Sequence, residues 1–214
     1  MSSRQALRIA YVLHTFPELT ENFVFEEVAA LRAKGVDVSI FAGIKSDDTA
    51  AMTDLTNLVA ETTYLRPFKA TLLLKACWLS LQHINHLKDI YKRVLFGGNE
   101  GLLRRFKAFF HSIVGIYLAL LLKNREISHI HANHGYFASW IAMVAARMLE
   151  ISFSITFHGS DLLIDKLFLD LKVNCSAFCF TISEYNKRFL IEQIPGINPD
   201  KVIVYYLGIN IDPE

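Results

Sequence analysis

His158, Gly159, Ser160 and Asp161 are consecutive, so an imidazole, a flexible backbone, a hydroxyl and a carboxylate stand side by side. The run before them, Ser154-Ile155-Thr156-Phe157, is rich in β-branched and aromatic side chains and predicts a buried strand ending at this polar loop. In an open parallel sheet, ligands bind at that carboxyl end. His158, Ser160 and Asp161 are too close in sequence to act as a hydrolase triad, and no Gly-x-Ser-x-Gly elbow occurs. The alternative to a functional role is a local hydrogen-bonded turn between His158 and Asp161. Further histidines stand at His129, His131 and His134. Alternate strand residues share a face, so a third ligand folding over His129 and His131 would make a zinc site. No carboxylate or cysteine nearby completes that set, and hydrogen-bonded strand histidines are the simpler reading.

The elements that must position these groups alternate between strand and helix. Leu7 to Leu13 is an apolar run of strand length, followed by His14-Thr15-Phe16-Pro17, a turn that Pro17 keeps out of a helix. A helix is expected to start near Thr20 as N-cap, with Glu21 at the positive end of its dipole. Val24, Val28 and Leu31 share a face, and Lys34-Gly35 supplies a cation and a terminating glycine. Val36 to Phe41 is the second strand, giving a right-handed parallel βαβ unit. Residues 47–57 are polar. A short strand at Thr62 to Leu65 and two long helical patterns, Thr71 to Leu95 and Leu102 to Lys123, follow. Gly97-Gly98-Asn99-Glu100-Gly101 separates these two; it follows a helix, so it lacks the strand a phosphate-cradling loop requires. Beyond residue 127 the pattern reads strand Ile127 to Ala132, helix Phe137 to Leu149, the opening strand, helix Leu162 to Val173, strand Ala177 to Ile182, helix Ser183 to Gln193 and strand Lys201 to Leu207. The expected fold is a single Rossmann-like, doubly wound α/β domain with a mainly parallel sheet.

With 214 residues, 52% of them apolar, the chain has material for one substantial core. A net charge of +1 gives no reason to expect nucleic acid as a partner. Cys77, Cys175 and Cys179 are odd in number and in apolar surroundings, which reads as reduced thiols in a cytoplasmic protein. The polar stretch from Met1 to Arg8 has no secretory pattern. Ala108 to Leu122 is apolar but shorter than the roughly twenty residues a spanning helix needs. It reads as a core helix or as one dipping into a membrane surface. Lys92, Arg93, Arg104, Arg105 and Lys107 stand against Glu100 alone; they read either as a contact for anionic lipid at the inner membrane face or as a solvated basic face.

Four segments taken together resemble the amino-terminal half of retaining family 4 glycosyltransferases, particularly those of bacterial exopolysaccharide synthesis such as colanic acid. They are Phe16 to Phe23, His129-Ile130-His131-Ala132, Thr156 to Asp161 and Thr181 to Asn186, each at a predicted strand end or helix start. The resemblance implies a GT-B architecture: two Rossmann-like domains facing a cleft, with retention of anomeric configuration and no metal ion. It implies that residues 1–207 form the acceptor-side domain and that 208–214 begin a hinge. The UDP- or GDP-sugar would then be bound mainly by a domain outside this chain, which alone would be inactive.

By the same resemblance His158 contacts or polarises the transferred sugar, and Asp161 orients the loop or a hydroxyl. Phe16, Glu18, Thr20, Glu21 and Asn22 meet the acceptor and the donor phosphates at a helix start, where unpaired N–H groups favour anions. For Glu18 and Glu21 a helix-dipole role stands equally open. His131, His134, Gly135, Gly159, Ser160, Ser183, Glu184 and Asn186 complete the substrate-binding set, and the acceptor is a glycan, expected to be lipid-linked. The chain differs from many relatives in lacking a glycine-rich loop after the first strand and in reading Asn133-His134-Gly135 where they have His-Phe-Gly. The alternatives are a non-catalytic binding or assembly module with this fold, or a sugar-nucleotide epimerase of the same architecture.

Overall fold

The computed structural model of the protein describes residues 7–46, 56–98, 100–164 and 166–207. Seven parallel strands form one sheet in the order β3-β2-β1-β4-β5-β6-β7. β1 (Arg8–Phe16) and β4 (His129–Asn133) lie together at its centre. From β1 the chain winds one way through α1 (Asn22–Ala33), β2 (Asp37–Lys45), α2 (Thr56–Glu61) and β3 (Thr63–Tyr64). From β4 it winds the other way through α6 (Phe137–Leu149), β5 (Ser152–Phe157), β6 (Phe178–Thr181) and β7 (Val202–Val204). The order therefore reverses between β1 and β4, which is where a doubly wound sheet opens a crevice.

The central strands are buried on both faces, as all-parallel sheets require. Along β1, Ala10 and Val12 pack into the larger core while Tyr11 and Leu13 pack into the smaller one under α1. α6 is buried without interruption from Ala138 to Ala146. It runs against α5 (Leu102–Leu122) so closely that a Cβ on Gly115 would come within 2.6 Å of Val144. α5 is long and apolar enough to cross a membrane by length and composition, yet half of its apolar window is buried in this fold. The core-helix reading of Ala108 to Leu122 matches that burial.

Several boundaries differ from expectation. β1 runs on through His14 and Thr15 and pairs with β2 as far as Phe16 opposite Lys45, so the turn begins only at Pro17. Thr20 is not a cap: Leu19–Glu21 forms one 3-10 turn, and α1 starts at Asn22 with no side-chain cap. The long pattern from Thr71 to Leu95 is two helices, α3 (Ala70–Gln82) and α4 (Ile84–Phe96), broken at His83. The break lets α4 turn Leu87, Ile90 and Val94 into the core, and a bond between Ser80 Oγ and Tyr91 Oη at 2.7 Å joins the two helices. The stretch from Leu162 to Val173 also divides, into α7 (Ser160–Leu163) and α8 (Leu169–Cys175), with buried Phe168 at positive φ between them. By contrast α6 has the expected bounds, and α9 (Glu184–Gln193) starts at Ser183, whose Oγ accepts the Asn186 N–H. Cys77, Cys175 and Cys179 are free thiols. Residues 208–214, the expected hinge, and most of the polar stretch at 47–57 lie outside the described residues.

Two members of the basic cluster are used inside the fold. Arg93 pairs with Glu100 and with Asp170 of α8. Arg105 donates to the carbonyls of Val94, Gly97, Gly98 and Glu100, tying the glycine-rich break to α5. These guanidiniums close a turn, which corrects their expected place in a lipid contact.

Candidate active site

The carboxyl ends of β1, β4 and β5 converge at the crevice, and side chains tie their loops to one another. Beyond β4, His134 takes positive φ, and its Nε2–H donates to Glu21 Oε1 at 2.5 Å, joining the β4 loop to the start of α1. Gly135 N–H donates to Asp161 Oδ2 at 2.6 Å, joining β4 to the β5 loop. His158 Nε2–H donates to Asn133 Oδ1 at 2.6 Å, which leaves Nδ1 of the neutral ring as its lone-pair edge. Lys172 of α8 is buried and donates to the Gly135 carbonyl. Asn186 of α9 supports the same loop from behind, its Nδ2 reaching the His158 carbonyl at 3.4 Å.

Above these ties lies a cleft of about 460 Å³. It is lined by Glu18, Glu21, His134 and Ser160, by His14, by Lys107 and His111 of α5, and by the aromatic residues Tyr136, Phe137 and Trp140. His158 lies just behind, 4.3 Å from the His134 ring and 5.1 Å from Phe23, and is 8% exposed. Burial raises the pKa of Glu18, helped by Glu21, so a protonated carboxyl is more accessible there than in water.

Not every expected residue reaches the cleft. Phe16 is buried in the smaller core against Phe25, 5.0 Å away, which removes it as a substrate contact. His131 is buried inside β4, its nitrogens taken by Ser154 Oγ at 2.8 Å and Thr156 Oγ1 at 3.1 Å, with Tyr11 covering the ring. It lines a separate cavity of about 340 Å³, with Tyr11, Glu27 and Tyr205, rather than this cleft. His129 is likewise held between Ser152 and Ser154, and among the described residues no three His, Cys, Asp or Glu side chains cluster as metal ligands would. Asp161 is 1% exposed, so it acts on the site by holding the loop rather than by touching a substrate. Thr20, Asn22, Gly159, Ser183 and Glu184 do not line the cleft. Asn186 is buried and acts through His158. Sequence reasoning missed His14, Lys107, His111 and Lys172; a histidine interrupting the apolar run of α5 was the available signal.

Gly135 serves by its lack of a side chain. A Cβ there would stand 2.5 Å from the Phe157 ring and 3.2 Å from Asp161 Oδ2. Gly135→Ala is expected to cost roughly 1–3 kcal/mol in urea unfolding, the usual range for overpacking. An unchanged midpoint would refute this packing argument.

The buried imidazoles carry a pH signature. Burial, with smaller contributions from positive neighbours, lowers His158 and His111 to about 4 and His131 to about 3. In the unfolded chain each takes its proton near 6.5, so the stability of the neutral rings is complete above that value and falls as pH drops from 6.5 towards 4. His134 runs the other way. Burial pulls its pKa down, but the Glu21 hydrogen bond and charge outweigh it, so its raised contribution is full below 6.5 and is lost as pH rises through the folded value. His158→Gln is expected to lose less stability than the parent between pH 6.5 and 4. Parallel urea midpoints across that range would refute the assignment.

The fold recurs among solved structures. A glycosyltransferase from Rickettsia africae matches with TM-score 0.60 at 15% identity, over 96% of this chain and 44% of that one. The lipopolysaccharide outer core galactosyltransferase WaaB matches with 0.59 at 11%, over 96% and 47%. A UDP-GlcNAc 2-epimerase from Methanocaldococcus jannaschii matches with 0.56 at 14%, over 92% and 45%. This chain therefore spans about half the length of these proteins, and at such identities the likeness shows the Rossmann-like fold of a GT-B half. No curated protein sequence matches the chain. The sequence model of Glycosyltransferase Family 4 matches residues 20–213, and the protein belongs to that family.

Proposed function

We propose that this chain is the acceptor-side half of a retaining glycosyltransferase of bacterial polysaccharide synthesis, using a UDP- or GDP-sugar held mainly by a second domain. The observation that carries this reading is the cleft at the switch point, lined by both carboxylates and aromatic residues. Carboxylates accept from sugar hydroxyls, and aromatic faces pack against the apolar faces of pyranose rings. His158 presents its Nδ1 edge to the transferred sugar, and His134 with Glu21 fixes the rim beside it. Such chemistry needs positioning and charge stabilisation rather than an activated nucleophile.

Titration with UDP- and GDP-sugars and, separately, with lipid-linked oligosaccharide tests this by ligand-observed NMR. Glycan binding with weak nucleotide binding is expected. Tight UDP-sugar binding by this chain alone would overturn the assignment and favour an epimerase.

The acceptor is reached at an anionic bilayer. Leu74, Trp78 and Leu81 form an exposed stripe on α3, Phe96 (82% exposed) ends α4, and Leu102 (86%) starts α5. Contacts from Ser80 to Tyr91 and from Tyr91 to Phe109 bring these ends together. The exposed cations Lys92, Arg104 and Lys107 flank them, which suits anionic headgroups. Flotation with anionic vesicles, weakened by Trp78→Ser, is the expected result; equal recovery with neutral vesicles would count against it.

A further inference from the structure

The α5 wall of the cleft carries positive charge for which the sugar-binding reading has no use. Lys107 and His111 are one helical turn apart and share the face that lines the cleft. His14, near the end of β1, lines the same cleft. Both imidazoles stand edge-on to the same Phe137 ring, with centroids 4.4 Å away for His111 and 5.2 Å for His14. Arg66, just after β3, donates its backbone N–H to the Gly43 carbonyl at 3.2 Å; its guanidinium lies 5.8 Å over the Phe68 ring, at the edge of the cleft rather than in its lining, and its charge acts on both imidazoles. Gly43 itself lies against the His14 backbone and the Phe137 ring, where a Cβ would come within 2.7 and 3.2 Å.

These groups act on one another. After burial, the charges of Arg66, His14 and Lys107 hold His111 down to about 4; burial, then Arg66 and His134, lower His14, with Glu21 working against that fall. Gathered cations of this kind repel unless an anion joins them. Among the described residues, neither Arg66 nor Lys107 has a carboxylate at ion-pair distance. Of the carboxylates that line the cleft, Glu21 acts on His14, but its Oε1 is already taken by the His134 Nε2–H.

We infer that His14, Lys107 and His111, with Arg66 at the edge of the cleft, form an anion subsite for a phosphate ester on the acceptor, whose sugar hydroxyls are taken by Glu18 and Glu21 of the same cleft. The inference rests on the acceptor-binding reading and gives the acceptor a direction in the cleft. A phosphate ester offers several acceptor oxygens to donors from β1, from the segment after β3 and from α5, which suits four separate cationic or imidazole groups better than a single carboxylate would. Phe106 and Leu103, exposed beside Lys107 on α5, give an alkyl chain on that phosphate an apolar surface to follow. The ester is therefore that of a lipid rather than of a soluble sugar phosphate.

The test is titration of the chain with octyl phosphate, inorganic diphosphate and UDP, followed through the imidazole resonances of His14 and His111. Octyl phosphate is expected to bind more tightly than diphosphate. Lys107→Gln and Arg66→Gln should each weaken binding roughly tenfold, the worth of one charge-assisted hydrogen bond. Lys88→Gln, an exposed change on α4, should leave it unaltered. Unmoved His14 and His111 resonances, or wild-type affinity in both cleft variants, would overturn the subsite. UDP binding more tightly than octyl phosphate through the same resonances would overturn its assignment to the acceptor. Phosphate binding without any glycan binding would leave the subsite standing and defeat the transferase reading alone.

Discussion

In a transferase carrying this domain, His158→Gln is expected to lower turnover by well over tenfold, towards the roughly hundredfold typical of a lost charge-stabilising or proton-handling group, with little change in melting temperature. The glutamine amide falls where Nε2 stands, so it can still donate to Asn133 Oδ1, while the Nδ1 edge disappears. His158→Ala is a blunter probe. The ring is 8% exposed and packed between Phe23 and His134, so its removal leaves a void and unpairs Asn133 as well as deleting the functional edge. Alanine should therefore slow the enzyme and loosen the fold together, whereas glutamine separates the two effects. Wild-type turnover in the glutamine variant would remove His158 from the chemistry, and a fall in melting temperature matching the fall in rate would mark it as structural.

Asp161→Ala should be felt mainly as instability. Its carboxylate receives the Gly135 N–H and faces the charges of His134 and Lys172, and all of these groups are wholly or largely shielded from water. Burial raises its pKa, and these partners work against that rise. Deleting the carboxylate leaves the buried Gly135 N–H without its acceptor, at a cost of about 1–3 kcal/mol. Asp161→Asn keeps an oxygen for Gly135 N–H and should fall between the parent and alanine. Urea unfolding of the three proteins decides the matter. A soluble Asp161→Ala chain with the parental midpoint and no activity would return this residue to a catalytic role.

Much of the architecture was legible because strand and helix periods alternate cleanly after residue 127. Phe137–Leu149 has a Gly-containing loop before it, and Ser183 is a capping residue followed three positions later by Asn186. The breaks at His83 and Phe168 were not legible. Neither is a glycine or proline: α3 gives way to α4 at His83 and α8 starts after Phe168, because the following segment must turn a different stripe into the core. In the site, Glu18, Glu21, His134 and Ser160 were readable as polar residues at strand ends. Phe16 and His131 belong to the same motifs, but proximity in sequence does not say which way a side chain points. Lys107 and His111 were hidden for another reason. They lie on a helix from the irregular middle of the chain, which tertiary packing alone brings to the cleft.

The three loops above the sheet are fastened to one another more than to their own strands: Glu21 to His134, Asn133 to His158, Gly135 to Asp161. Substrate preference in such a domain is therefore not portable loop by loop. A chimaera that imports a relative's β5 loop alone would confront Asn133 and Gly135 with partners they do not match, and the expected product is a misfit rather than a new specificity. The smallest transferable cassette is the trio, and drift in any one loop is constrained by the other two.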